Sequence, residues 1–419
     1  MTAPITAPAA ILDQYSRVRR QSIHLCVPLE PADYVVQPSD DVSPPKWHLG
    51  HSTWFFENFL LVPHLEGYSP FDERLNWFFN SYYESQGPRI LRSNRGNMTR
   101  PSLEVIMDYR DYVDRAMDRL LSLEDPEVDK LTELGLHHEQ QHQELLLTDI
   151  KYILGTNPLH PTYRDTGRRP QEAVPHRFLP ISGGRYSIGY RGTGFRWDNE
   201  LNPHDVLLQD FAVGSRLITN GEYLAFMEDG GYDRFELWQM DGIAWARTLD
   251  VKAPLYWFAT EQGWKQYTLN GGLEAVDPAL PVTHISWYEA DAYARWAGAR
   301  LATEFEWETA CRQLQGNVPE RGNWVEQENY HPTAATSDAD NQLLGHCWEW
   351  TNSAYLPYPR YPRPEGALGE YNGKFMINQM VLRGGSCATP VSHIRPTYRN
   401  FFQPDKRWQF TGIRLAKDL

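Results

Sequence analysis

Residues 137–144 read His-His-Glu-Gln-Gln-His-Gln-Glu, and this run constrains the chain more than any other. In a helix, His138 and His142 stand four residues apart and project from one face, with Cβ atoms about 5–6 Å apart. Leu134 one turn before and Leu145 and Leu146 one turn after are apolar, so the two imidazoles look into a core. Two buried imidazoles require partners, and one shared metal ion answers both. The same residues spell the zinc-protease pattern His138-Glu139-x-x-His142, in which Glu139 would be the general base. No Gly-x-x-His follows, because the chain runs through three leucines to Gly155 and Pro158. A third ligand has to come from another segment.

The first third of the chain supplies candidates. Helical spacing of apolar residues runs over Ile11–His24, over Trp47–Leu61 behind the Ser43-Pro44-Pro45 start signal, over Leu103–Leu121 and over Val128–Leu154. Four such helices predict a four-helix bundle, whose metal sites are built from side chains on facing helices. His51, flanked by Leu49, Trp54 and Phe55, is placed to complete the site, and His48 lies one turn away on nearly the same face. Three histidines with open positions suit zinc holding water, or iron holding a substrate and dioxygen.

Between the second and third helices, Val62 to Pro101 is long for a bundle connection, which points to function. It holds the pair Tyr82 and Tyr83, and Arg89, Arg92, Arg95 and Arg100. A guanidinium fork matches a carboxylate in two-point geometry, and a phenol beside a metal can donate a proton; the plainer readings are a solvated loop and ordinary packing.

Length and charge set the outer limits. A chain of 419 residues has room for two or three domains. A net charge of −14 offers no basic face for phosphates, which argues against broad binding to nucleic acid or to an anionic membrane. Four scattered cysteines, none in Cys-x-x-Cys, indicate neither a disulfide framework nor a cysteine zinc site. With no apolar stretch of membrane-spanning length and no apolar leader in Met1–Arg20, the expectation is a cytoplasmic protein.

After Gly155 the texture changes. Residues 1–155 form the expected helical domain, and residues 156–177, rich in Pro, Arg, Thr and His, read as a linker. Residues 178–419 alternate short strands, turns and aromatic clusters with helices at Ser286–Gly298 and Thr303–Cys311, without a fixed-period repeat. They read as one irregular α+β domain, so that the fold class is α plus α+β.

Particular motifs go further. Gly183-Gly184-Arg185-Tyr186-Ser187-Ile188-Gly189, Trp197-Asp198-Asn199-Glu200, Thr219-Asn220-Gly221-Glu222-Tyr223, Pro281 to Trp287, Arg300 to Glu308 and Leu382-Arg383-Gly384-Gly385-Ser386 resemble the formylglycine-generating-enzyme (sulfatase-modifying factor) domain, which has a C-type-lectin-like fold. Residues 10–155 resemble the DinB-type bundle with its histidine triad. In this order the two resemble the iron(II)-dependent sulfoxide synthases of ergothioneine biosynthesis, the EgtB family. That resemblance implies a reaction in which hercynine, a thiol and O2 give a C–S bond at the imidazole C2 and an S-oxide. It implies Fe(II) held by His51, His138 and His142, with Gln141 hydrogen-bonded to the hercynine imidazole. Asn400 would lie near the trimethylammonium, with Phe401 offering a ring face to the cation.

The sequence also departs from the branch that uses γ-glutamylcysteine. Phe402 and Lys406 stand where that branch has an acidic residue and an arginine, and Met376-Ile377-Asn378-Gln379-Met380 holds no tyrosine where its proton donor lies. The expectation is therefore that cysteine is preferred over γ-glutamylcysteine, that Arg92 or Arg95 holds the thiol's carboxylate, and that Tyr82 or Tyr83 donates the proton. Three alternatives stand beside it. An ovothiol-type 5-histidylcysteine sulfoxide synthase shares both domains but is expected to carry a methyltransferase after them. A formylglycine-generating oxidase needs paired cysteines, and only Cys387 lies near the Gly-Gly-Ser run. A lectin-like binding protein needs no buried histidine triad.

Overall fold

In the N-terminal unit, Met1–Asn157 with Gly192–Phe195, the four predicted helices are present. The computed structural model describes residues 8–81, 90–167, 171–319, 322–361 and 372–419. Helix α1 spans Pro8–Cys26 and α2 spans Pro45–Phe56. α2 is buried on every side, packing against its neighbours all round instead of along one stripe. It opens at prolines, whose missing N–H costs nothing in a first turn. It then runs into a π turn at Glu57–Leu61 and the short α3, Val62–His64. The carboxylate of Glu57 in that turn accepts from the Tyr68 and Tyr109 hydroxyls, both at 2.6 Å, and from the Phe71 amide at 3.0 Å. The long connection contains a further helix, α4 (Glu73–Phe78), and a 3-10 turn at Arg92–Asn97.

Helices α5 (Leu103–Leu121) and α6 (Pro126–Gly155) complete the bundle. Each starts at a side chain that satisfies an orphan amide: Ser102 accepts from Val105, and Asp125 accepts from Glu127. α6 packs on α1 and α2. Its approach to α2 depends on Gly135, where a Cβ would come within 2.6 Å of the Phe56 ring.

The second unit comprises Pro158–Arg191, Arg196–Arg363 and Asn372–Leu419. Tyr163, within the stretch read as a linker, is buried there and donates its amide to Leu269 O at 2.9 Å. The strands are short: β1 Phe178–Ile181, β2 Gly184–Ile188, β3 His204–Leu208, β4 Phe211–Gly214, β5 Trp257–Thr260, β6 Gly263–Thr268, β7 Gly272–Ala275, β8 Arg300–Leu301, β9 Trp348–Ala354, β10 Met380–Arg383, β11 Asn400–Phe402, β12 Thr411–Gly412 and β13 Leu415–Asp418. They form sheets ordered β1-β4-β13-β8 and β11-β10-β9-β12, a β2-β3 hairpin and a β5-β6-β7 meander. Helices α7 (Asn220–Glu228), α8 (Met240–Thr248), α9 (Trp287–Trp296) and α10 (Glu304–Leu314) lie among them. α7, α9 and α10 each open with a capping box, Thr219/Glu222, Ser286/Glu289 and Thr303/Glu306.

Buried ion pairs tie these elements together. Arg414 holds Glu349 through two bonds of 2.7 Å, Arg399 holds Glu304 at 2.8 and 2.9 Å, and Arg383 pairs with Glu308. All four cysteines are buried and unbonded to one another. The architecture is thus a helical unit followed by a mixed α+β unit.

Candidate metal centre

His138 and His142 leave α6 one turn apart, and His51 meets them from α2. The candidate ligand atoms of the three lie within 4.8 Å of one another, close enough to share one ion. His51 and His138 are buried and His142 is half-buried. Burial disfavours an imidazolium, and it lowers the pKa of His138 to about 4 against the smaller opposing pull of Glu139. His51 and His142 fall well below the ordinary range for the same reason, reinforced by the neighbouring imidazoles and by Arg95. Neutral imidazole is the ligating form, so the cluster is ready for a metal at neutral pH.

Each ring is held by a different protein group. His51 Nδ1 lies 2.6 Å from the Phe79 carbonyl oxygen, so Nδ1 carries the proton it donates and Nε2 keeps its lone pair. The same ring stacks on Trp47 (centroids 4.5 Å apart, 13° between planes) and on Trp54 (5.5 Å, 15°). His138 stacks on Phe55 at 4.6 Å, and its Nδ1 is buried without a hydrogen-bond partner. A polar nitrogen left in that condition calls for an ion or a water. His142 Nδ1 lies 3.0 Å from His48 Nδ1, and His48 Nε2 lies 2.9 Å from Asp149 Oδ2. Three neutral imidazoles with a nitrogen on an unmet side fit a divalent metal of the zinc or iron class.

The zinc-protease reading of Glu139 does not survive its surroundings. Arg19 Nη1 reaches one carboxylate oxygen at 3.0 Å, while Arg110 Nη2 and Ser22 Oγ reach the other at 2.6 Å each. Burial alone would raise its pKa, but the charges of Arg110 and Arg19, with the hydrogen bonds from Ser22 and Arg110, together outweigh burial and hold it at about 2. A general base has to be poised near the working pH, and this carboxylate is locked in an ion-pair network.

The remaining predicted residues are distributed as follows. The Arg95 guanidinium lies 3.4 Å from the centroid of Trp47, and its Nη1 donates to Ser43 Oγ at 2.8 Å, so it borders the His51 stack. Arg92, half-buried, donates from Nη2 to the Asp41 carbonyl. Gln141 is half-buried on α6 beside His142. Tyr82 and Tyr83 fall outside the described residues. In the C-terminal unit Asn400 and Phe401 are neighbours on β11. The Asn400 Oδ1 accepts from the Phe401 amide at 2.9 Å, and the Phe401 ring stacks on Tyr355 at 4.1 Å and 9°. Of the two variant positions, Phe402 packs on Trp408 and Lys406 pairs with Asp405 at 3.5 Å.

Sequence reasoning missed Asp149 and the part His48 plays. The signal was present: Asp149 stands seven residues after His142 and eleven after His138, nearly whole turns of a helix, and so shares their face.

Comparison with known proteins agrees with both halves. Residues 162–419 match the family model of the sulfatase-modifying factor enzyme 1-like domain, and residues 14–146 match the DinB superfamily. The chain is 32% identical to the hercynine oxygenase of Mycolicibacterium smegmatis over 73% of this chain and 76% of that one. It is 29% identical to the hercynine oxygenase of Mycobacterium tuberculosis over 99% of this chain and all of that one. The formylglycine-generating enzyme of Streptomyces coelicolor is 28% identical over 60% of this chain and 91% of its own length. Two domain matches in this order, with similarity running along the whole length of a relative, place the chain in the hercynine oxygenase family.

Proposed function

We propose that this protein is a non-haem iron(II)-dependent sulfoxide synthase of ergothioneine biosynthesis, joining hercynine to a thiol with O2 and taking cysteine in preference to γ-glutamylcysteine. The observation that carries the proposal is the cluster of His51, His138 and His142, three neutral imidazoles within reach of one ion in a chain of this family. These three residues would hold the metal. When bound, iron(II) offers open positions and one-electron chemistry towards dioxygen.

The chain's own residues bind, orient and donate protons. Gln141 beside His142 presents an amide that can hydrogen-bond the hercynine imidazole. Asn400 and Phe401 offer an amide dipole and a ring face to its trimethylammonium, which no fixed cation could accept. Arg92 or Arg95 holds the carboxylate of the thiol substrate, and Tyr82 or Tyr83 supplies a proton. The choice of cysteine rests on Phe402 and Lys406: a ring packed on Trp408 cannot pair with the amino end of a γ-glutamyl extension. Losing one charge-assisted contact costs about 1.5–3 kcal/mol, roughly tenfold to a hundredfold in kcat/KM.

The test is a turnover assay. Anaerobic protein loaded with iron(II) is given hercynine and either thiol, then air, and the products are identified by mass. The expected product is the cysteine–hercynine S-oxide, formed faster than its γ-glutamyl counterpart. No sulfoxide with either thiol refutes the function, and faster turnover of γ-glutamylcysteine refutes the specificity.

A further inference from the structure

The pair His48–Asp149 lies behind His142, and the hydrogens of this chain of three groups can be assigned by elimination. Asp149 Oδ2 already accepts the Ser43 amide at 2.8 Å, which fixes that oxygen as an acceptor. His48 Nε2, 2.9 Å from the same oxygen, must then carry its hydrogen towards it. With its one ring hydrogen directed at Asp149, a neutral His48 offers Nδ1 as an acceptor; in either protonation state of His48 the 3.0 Å contact occupies His142 Nδ1 and leaves Nε2 to face an ion. For a neutral His48 the nitrogen facing its Nδ1 at 3.0 Å, His142 Nδ1, has to be the donor. A neutral His142 with hydrogen on Nδ1 keeps its lone pair on Nε2. With the hydrogen on the other nitrogen, two lone pairs would face each other across the buried 3.0 Å contact.

We infer that His48 and Asp149 are positioning residues for the metal: they lock His142 in the tautomer that presents Nε2 to the ion, and they fix the plane of its ring. The inference rests on the metal reading above and adds the second layer to it. It also gives His48 a role that is not ligation. Groups in this outer position orient a ligating imidazole and raise its basicity, and removing one typically weakens metal binding about tenfold to a hundredfold.

The experiment compares two replacements that separate ring packing from hydrogen bonding. His48→Phe keeps a ring and removes both nitrogens. His48→Gln removes the ring, but its amide oxygen can accept from His142 and its amide nitrogen can donate to Asp149. Cobalt(II) is titrated into the full-length metal-free protein against a competing chelator, and its visible ligand-field bands are recorded. His51→Ala and His138→Ala serve as controls.

The expected result is that His48→Phe binds cobalt about tenfold to a hundredfold more weakly, with altered bands, while His48→Gln stays less than about tenfold from wild type. Wild-type affinity in His48→Phe, or an equal loss in both variants, overturns the inference. If His48→Phe does not fold, His48→Gln decides alone, and a loss of tenfold or more there overturns it. The outcome that sinks the metal reading is different: a wild-type protein that takes up no cobalt, or controls that bind it as wild type does.

Discussion

Glu139 sits beside a candidate ligand in sequence and takes no part in ligation. Successive residues on a helix are turned by about 100°, so the side chain after His138 points away from the ligand face. Here it points to Arg19, Arg110 and Ser22. Glu139→Gln leaves two buried guanidiniums short of a charge and should cost about 3–5 kcal/mol of unfolding free energy. Urea unfolding of metal-free protein checks this, and an unchanged midpoint would mean that the ion pairs do not hold α1 and α5 to α6. The i, i+4 histidine pair and its apolar flanks were legible in the sequence because helical spacing alone defines them. Whether His48 or His51 faced that pair was not. Three residues apart, both occupy one side of α2, and only the depth at which α2 packs against α6 separates them. Glu139 was misleading for a related reason: a motif records spacing, and the ion-pair partners came from two distant helices.

At the level of elements, the candidate metal centre depends on close backbone approaches. A Cβ on Gly50 would lie 2.2 Å from the Phe79 ring, and the Phe79 carbonyl is what His51 donates to. Gly50→Ala should therefore displace Phe79, costing about 1–3 kcal/mol for overpacking, and should weaken cobalt binding as well. Lower thermal stability with unchanged affinity would show that the Phe79 carbonyl is dispensable. The four long helices were readable from apolar spacing, and Leu103–Leu121 has the expected ends. The π turn at Glu57–Leu61 was not, because one extra residue in a turn changes no composition and is set by where Glu57 finds its donors. In the second unit many strands have four residues or fewer, too short for alternation to register. Motif resemblance, not periodicity, made that half legible.

Across the whole molecule, buried neutral histidines set the response to acid. Burial, with Arg414 adding to it, drops His346 in the C-terminal unit to about 3, and burial drops His138 in the bundle to about 4. Unfolded, both take up a proton below about 6.5, while the folded chain refuses it. Their contribution is thus intact above pH 6.5 and is lost as pH falls towards their folded values. Glu139 follows the same sign lower down, between its ordinary 4.5 and about 2. The melting temperature of metal-free protein should fall steadily from pH 6.5 to 4, and a flat profile there would contradict the neutral state of these rings. The Phe79 carbonyl, the Phe55 ring and the His48 nitrogen each hold one imidazole of the triad through contacts that need no ion. Folding and metal capture should therefore be separable, unlike those of a zinc finger, whose chain orders only around its ion. The expectation is a protein that can be made without metal and charged in a single step, and whose ion can be replaced without the chain having to refold.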